Sequence, residues 1–191
     1  MKGSGSLTLI LAPMFSGKTQ QILKELTTRA DIGMKCIYIN SILDSRDEIA
    51  SSHSSQFRGL SVKIFGIKTD DLTKVDVSNF EVVGIDEAQF FPSLNVVIDW
   101  VNSGKIVYIA SLIADSNKEK FGNIFDLIPH CDNIIKLSAS CMECCRIARL
   151  EGKPLANIPA GIFSKRNVLS NDKISIGGSE TYSTVCRLHY D

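Results

Sequence analysis

The run Ala12-Pro-Met-Phe-Ser-Gly-Lys-Thr19 constrains this chain more than any other feature, because of what flanks it. The apolar stretch Leu7-Thr-Leu-Ile-Leu11 precedes it, and Ile22, Leu23, Leu26 and Ala30 recur at helical spacing behind it. Strand, tight loop and helix in that order, with Gly-Lys-Thr at the helix start, read as a phosphate-binding loop whose opening glycine is replaced by Ala12. The residue types follow from the chemistry. Successive backbone N–H groups of Pro13, Met14, Phe15, Ser16 and Gly17 (proline excepted) can form an anion nest, and the helix adds its positive end. Gly17 lets the main chain approach a phosphate closely. Lys18 reaches the outer phosphates, and Thr19 offers a hydroxyl to Mg²⁺. Ala12 is the weak point, since a positive φ there would cost about 1 kcal/mol or more. The competing reading is an ordinary loop ahead of an ordinary helix.

A chain of 191 residues can bury one good core and a small appendage. Basic and acidic residues balance at 21 each, so no global field draws the chain to nucleic acid or to an anionic membrane. No apolar run approaches the roughly 20 residues needed to cross a bilayer. The start, Met1-Lys-Gly-Ser-Gly-Ser6, has too little apolar length before Pro13 for a signal peptide, which gives a cytoplasmic expectation.

Short Ile-, Val- and Leu-rich runs at 7–11, 35–39, 60–65, 82–85, 106–110 and 133–137 suit strands buried on both faces. Helical patterns lie between them, one through Leu94, Val97 and Val101 with Gly104 as its stop signal. Strand–helix alternation implies an α/β fold with a mainly parallel sheet. The serine-rich stretch 41–59 is polar and reads as a functional loop. From about residue 138 the apolar periodicity fades and cysteines cluster, which divides the chain into an α/β domain of 1–138 and a small domain of 139–191.

The segment Phe80-Glu-Val-Val-Gly-Ile-Asp-Glu-Ala-Gln-Phe-Phe-Pro92 runs an apolar strand straight into Asp86 and Glu87. An aspartate at the end of a parallel strand lies beside the phosphate loop, where Mg²⁺ needs an oxygen partner. Glu87 is then placed to take a proton or position a nucleophile. A solvated strand end is the alternative.

Cys141-Met-Glu-Cys144 and Cys186-Arg-Leu-His189 form two knuckles of matching spacing, together supplying three sulfurs and one imidazole for a tetrahedral Zn²⁺. No fifth strong ligand stands nearby, so the site reads as structural, against an alternative of buried reduced thiols. Cys36, Cys131 and Cys145 stay outside the scheme. Cys36 falls in a strand as a small core residue, and His53 and His130 have no ligand-spaced partner.

Together these segments resemble the cytosolic-type (type II) thymidine kinases of animals, bacteria and large DNA viruses. The match runs in order through Pro13–Thr19, Gly84-Ile-Asp-Glu-Ala-Gln-Phe-Phe-Pro92, Phe121-Gly-Asn-Ile, Lys136-Leu-Ser-Ala, Cys141-Met-Glu-Cys144 and Ile176-Gly-Gly…Tyr182-Ser-Thr-Val-Cys-Arg187. The resemblance implies a RecA-like domain followed by a zinc domain with a lasso over the nucleoside, with ATP and Mg²⁺ as reaction partners and a tetrameric homo-oligomer. It implies that Asp44, Ser45 and Arg46 match a D-x-R element at the phosphate and metal region, with Lys18 and Arg46 aiding catalysis. Glu87 matches the base that takes the proton from the nucleoside 5′-hydroxyl, and Ala88 and Gln89 continue that element. Phe90 lines the base pocket with Met14 and Phe121. Ser164, Lys173, Ile174, Ser175, Ile176, Gly177 and Tyr182 fall on the segments that grip the base.

The departures cluster on one side of the reaction. Most members carry L-D-G-T-F-Q-R where this chain has Leu112-Ile-Ala-Asp-Ser-Asn-Lys118, so Ser116 takes the place of an aromatic that packs on the base. Extra residues at about 150–161 precede Phe163-Ser-Lys-Arg166, and Phe163 could supply the missing wall. Two rival readings are a P-loop ATPase with a nucleic-acid-binding zinc module, disfavoured by the zero net charge, and a degenerate kinase-like subunit. The expected partners are thymidine and ATP, with no stable nucleic-acid binding.

Overall fold

The computed structural model describes residues 4–44, 64–167 and 178–190. Six strands form one sheet: β1 (Ser6–Ala12), β2 (Cys36–Ser41), β3 (Phe65–Thr69), β4 (Val82–Ile85), β5 (Ile106–Leu112) and β6 (Asn133–Lys136). Their order is β3-β2-β4-β5-β1-β6. The pairs β3–β2, β2–β4 and β4–β5 are parallel, with Ile39 opposite both Ile67 and Ile85 and Val83 opposite Val107. Every residue of β2 and β4 is buried, whereas the outer strands β3 and β6 are largely half-buried or exposed. The buried central strands are what short apolar runs without alternation predict. The run at 133–137, which the same reasoning would bury, instead forms the largely exposed edge strand β6. The run at 60–65 is the exception in placement. Residues 60–63 lie outside the described residues, and the strand occupies Phe65–Thr69.

The chain divides into two compact units, one of Met1–Ile10, Lys18–Ser111 and Gly122–Ile135, the other of Leu11–Gly17, Leu112–Phe121 and Lys136–Asp191. In the first, α1 (Lys18–Asp31) buries Ile22, Leu23, Leu26 and Ala30, the four positions its periodicity singles out. Gly84 of β4 allows this close packing, because a Cβ there would stand 2.8 Å from Leu26 and 2.9 Å from Ile22. The helix α2 (Val96–Asn102) buries Val97 and Trp100. Gly104 then ends the turn at φ 98, its N–H donating to Val101 O, as a glycine after a helix should. Cys36 is a buried strand residue whose thiol is pushed up to about 11 by burial.

In the second unit, α3 (Met142–Leu150) follows the short strand β7 (Ala139–Ser140), which pairs with β8 (Ala160–Gly161). The antiparallel hairpin of β9 (Phe163–Arg166) and β10 (Tyr182–Val185) sets Ser164 opposite Thr184 and Phe163 opposite Val185. Among the described residues no helix is long and apolar enough to cross a membrane.

Candidate active site and metal centre

The phosphate loop takes a form that explains its unusual first residue. Ala12 is the last, fully buried residue of β1, so it needs no left-handed backbone and incurs no strain. Positive φ falls instead on Phe15, at 57°, and on Gly17, at 81°. Left-handed residues at these alternate positions turn successive N–H groups to one side, the anion-binding concavity the motif requires. A bulky residue such as Phe15 holds this conformation at a cost of about 1–2 kcal/mol. Ser16 Oγ closes the turn on Pro13 O at 2.7 Å. Both backbone groups of Met14 are gripped by the β9–β10 hairpin of its own unit. Met14 N donates to Ser164 Oγ at 3.0 Å, and Thr184 Oγ1 donates to Met14 O at 2.9 Å. The hydroxyls come from directly opposed residues, which share a face of the hairpin.

Within the first unit, Asp86 has no exposed surface and collects three donors. Thr19 Oγ1 lies 2.6 Å and Tyr38 OH 2.9 Å from its Oδ2, while Glu87 N donates to Oδ1 at 2.9 Å. Burial first, then the Asp86 charge, drives the Tyr38 phenol far above its ordinary range, so it remains a donor. Asp44 is held in a similar way. Asn40 Nδ2, two residues along β2 from Tyr38, donates to Asp44 Oδ2 at 2.9 Å, and Lys68 Nζ donates to Asp44 O at the same distance. Positions 38 and 40 share one face of the strand. β2 therefore supports both carboxylates, a role that neither Tyr38 nor Asn40 announces in the sequence. Ser45 and Arg46 lie outside the described residues, as do Lys173, Ile174, Ser175, Ile176, Gly177 and His53.

Glu87 stands at φ 51 and ψ 41, just before the 3-10 turn Ala88–Phe90. Its Oε2 accepts from Gln89 Nε2 at 2.5 Å, and Gln89 Oε1 in turn accepts from Ser111 Oγ at 3.2 Å. The buried Ser111 hydroxyl thus orients the Gln89 amide, so that the NH₂ group faces the carboxylate. Gly122 allows this arrangement to close. It sits at φ 70 with the space for a Cβ only 2.6 Å from Gln89 O, so any side chain there would displace the Gln89 backbone. Ser111→Ala should lower turnover about 5-fold, one hydrogen bond's worth, with little change in KM for ATP. Steady-state kinetics on the variant check this, and unchanged turnover would remove Ser111 from the chain.

The candidate metal site lies wholly in the second unit. The ligand atoms of Cys141, Cys144, Cys186 and His189 all fall within 4.8 Å of one another. His189 Nδ1 is 3.6 Å from Cys141 Sγ, 3.3 Å from Cys144 Sγ and 3.5 Å from Cys186 Sγ, and the Cys144 and Cys186 sulfurs are 4.0 Å apart. A tetrahedral Zn²⁺ with ordinary bond lengths gives edges of about 3.5 Å from sulfur to nitrogen and about 3.8 Å between sulfurs. The four residues fit that ion. Burial raises the Cys141 thiol, but backbone N–H groups of Cys144 and Cys186 and the His189 ring outweigh it and hold Cys141 down to about 6. Cys144 is pushed up to about 12 by burial and by the neighbouring sulfurs.

The face of the β9–β10 hairpin that carries Ser164 and Thr184 also carries Tyr182, by alternation. Phe163 belongs to the opposite face. There it packs with Tyr190 against Cys141, Val185 and Cys186, on the hairpin face opposite to Ser164 and Tyr182. Of the remaining expected nucleoside-side residues, Met14, Ser116, Phe121, Ser164 and Tyr182 fall in the second unit, and Phe90 in the first. His130 is exposed, and Cys131 and Cys145 stay apart from the metal cluster.

A family model described as thymidine kinase matches residues 5–190. Cytosolic thymidine kinase of Bos taurus is 32% identical over 190 residues, covering 99% of this chain and 73% of its own length. Thymidine kinase 1 of Dictyostelium discoideum is 33% identical, covering 98% of this chain and 78% of its own. Thymidine kinase of Monkeypox virus is 32% identical and covers 97% of both chains. With this match over nearly its whole length and with identity above 30% to these relatives, the chain belongs to the thymidine kinase family.

Proposed function

We propose that this protein transfers the γ-phosphoryl group of ATP to the 5′-hydroxyl of thymidine, giving dTMP and ADP. The observation that carries the reading is the carboxylate pair after β4, with Asp86 bonded to Thr19 and Glu87 to Gln89. Little covalent chemistry is asked of the protein, and positioning with charge neutralisation does most of the work. Pro13 to Gly17 cradle the phosphates through their main chain, and Lys18 pairs with the outer ones. When bound, Mg²⁺ neutralises phosphate charge, with Thr19, Asp86 and Asp44 as its residues here. Glu87 takes the 5′-hydroxyl proton as the oxygen bonds to the γ-phosphorus and the bond to the β-phosphate oxygen breaks. Arg46 adds positive charge at the transferring group. The family resemblance assigns the base to Met14, Phe90, Phe121, Ser164, Tyr182 and positions 173–177, with Ser116 in place of an aromatic.

The remaining assignments belong to the same reading: an ATP-binding domain of 1–138, a zinc-binding lasso domain of 139–191, a cytoplasmic homotetramer and a role in supplying DNA synthesis. A panel of nucleosides with labelled ATP tests it. Thymidine should be the best acceptor, and preference for deoxycytidine or a purine nucleoside would overturn the assignment. ATP turnover stimulated by DNA or RNA instead of by thymidine would also overturn it.

A further inference from the structure

The segment Leu112–Phe121, which departs most from the family pattern, leaves β5 and folds back in a short turn. An isolated bridge pairs Ala114 with Lys120. Asp115 Oδ1 accepts from Asn117 N at 2.8 Å and Glu119 N at 2.9 Å, and Lys118 turns the chain at φ 65. Residues 117–120 are exposed. A two-stranded turn of this size is marginal by itself in water.

Tyr190 anchors this turn from within the same unit. Its hydroxyl donates to the main-chain carbonyl of Ser116 at 2.6 Å. Lys118 Nζ lies 3.5 Å from the centre of the Tyr190 ring and 4.9 Å from that of Phe163, within cation–π range of both. The two rings meet edge to face, 5.2 Å apart at 64°. Both pack on the core of Cys141, Val185 and Cys186. Tyr190 also follows His189 directly in the chain, so the knuckle that gathers the metal ligands fixes the tyrosine's backbone.

We propose that Tyr190 is a positioning residue, through which the Cys₃His cluster sets the place of the turn 113–120 and with it the affinity for the nucleoside acceptor. The second half of this statement rests on the thymidine kinase activity proposed above. The hydroxyl bonds to main chain, so the anchor is indifferent to the side chain at 116. The position can therefore change from an aromatic to serine while the turn stays where it is.

The test uses the full zinc-loaded chain and two readouts. Hydrogen exchange of residues 112–121 is compared in the wild type, Tyr190→Phe and Tyr190→Leu, alongside KM for thymidine and for ATP. Tyr190→Phe keeps the ring and loses one hydrogen bond, so protection of 113–120 should fall and thymidine KM should rise about 3–10-fold. ATP KM and zinc content should not move. Tyr190→Leu should do more on both readouts, and chelation of the zinc should reproduce the same local loss of protection. Unchanged exchange in Tyr190→Leu with zinc retained would overturn the anchor. Loosened exchange with unchanged thymidine KM, or equal rises for thymidine and ATP, would overturn its role in acceptor affinity. The exchange readout needs no substrate, so a wild type without thymidine turnover would count against the activity while the anchor is still decided.

Discussion

Glu87→Gln should lower turnover by about 10²–10⁴-fold, the usual worth of a general base, while ATP binding and folding persist. The substitution keeps the shape of the side chain and removes only its ability to take a proton. The local geometry should survive it. Glu87 owes its place to a left-handed backbone at φ 51 and to the turn Ala88–Phe90 behind it, and neither depends on the charge. An amide oxygen at position 87 can still accept from Gln89, whose own orientation comes from Ser111. Single-turnover kinetics separate the chemical step from product release, and circular dichroism confirms the fold. Turnover near that of the wild type would end the assignment of Glu87 as the base.

The second large effect concerns the metal. A preparation of the full chain should contain about one zinc, the stoichiometry of a four-ligand site, and Cys144→Ser should lose it. The apolar core around the knuckles is small: Cys141, Val185 and Cys186, with Cys144, Ile158, Phe163 and Tyr190 packed around them. Three of those seven residues are ligands themselves, so little apolar packing is left to hold the module once the metal is gone. Zinc binding in comparable sites supplies on the order of 10–16 kcal/mol at neutral pH, far beyond what that core can replace. Metal analysis, with thermal unfolding before and after chelation, checks this. The module should melt well before the sheet, and a metal-free preparation with full activity and unchanged unfolding would sink the idea.

Much of the candidate site could be read from the chain because its chemistry is local. A phosphate loop is eight consecutive residues between a strand and a helix, a metal knuckle is two ligands three positions apart, and Asp86 with Glu87 are neighbours. Buried strands announce themselves by apolar runs, and β4 spans the four residues of its run. One local inference needed correcting in its consequence. Ala12 carried no penalty, because the left-handed positions lie three and five residues further on.

What determines the central strands, the loop Ala12–Thr19 between strand and helix, the adjacent carboxylates and the Cys/His cluster is thus residue type and short spacing, and the sequence by itself was enough for them. It was not enough for the edge strands β3 and β6. Tertiary structure alone decided which side chains support them. Ser111 reaches Gln89 across 22 residues, Tyr38 reaches Asp86 across 48, and Tyr190 reaches Ser116 across 74. It also turned Phe163 to the metal face of its hairpin and Ser164 to the opposite one. Hydroxyl and amide groups of this kind are common in any sequence. Each acquires its role only when burial removes water and leaves one partner within hydrogen-bond reach.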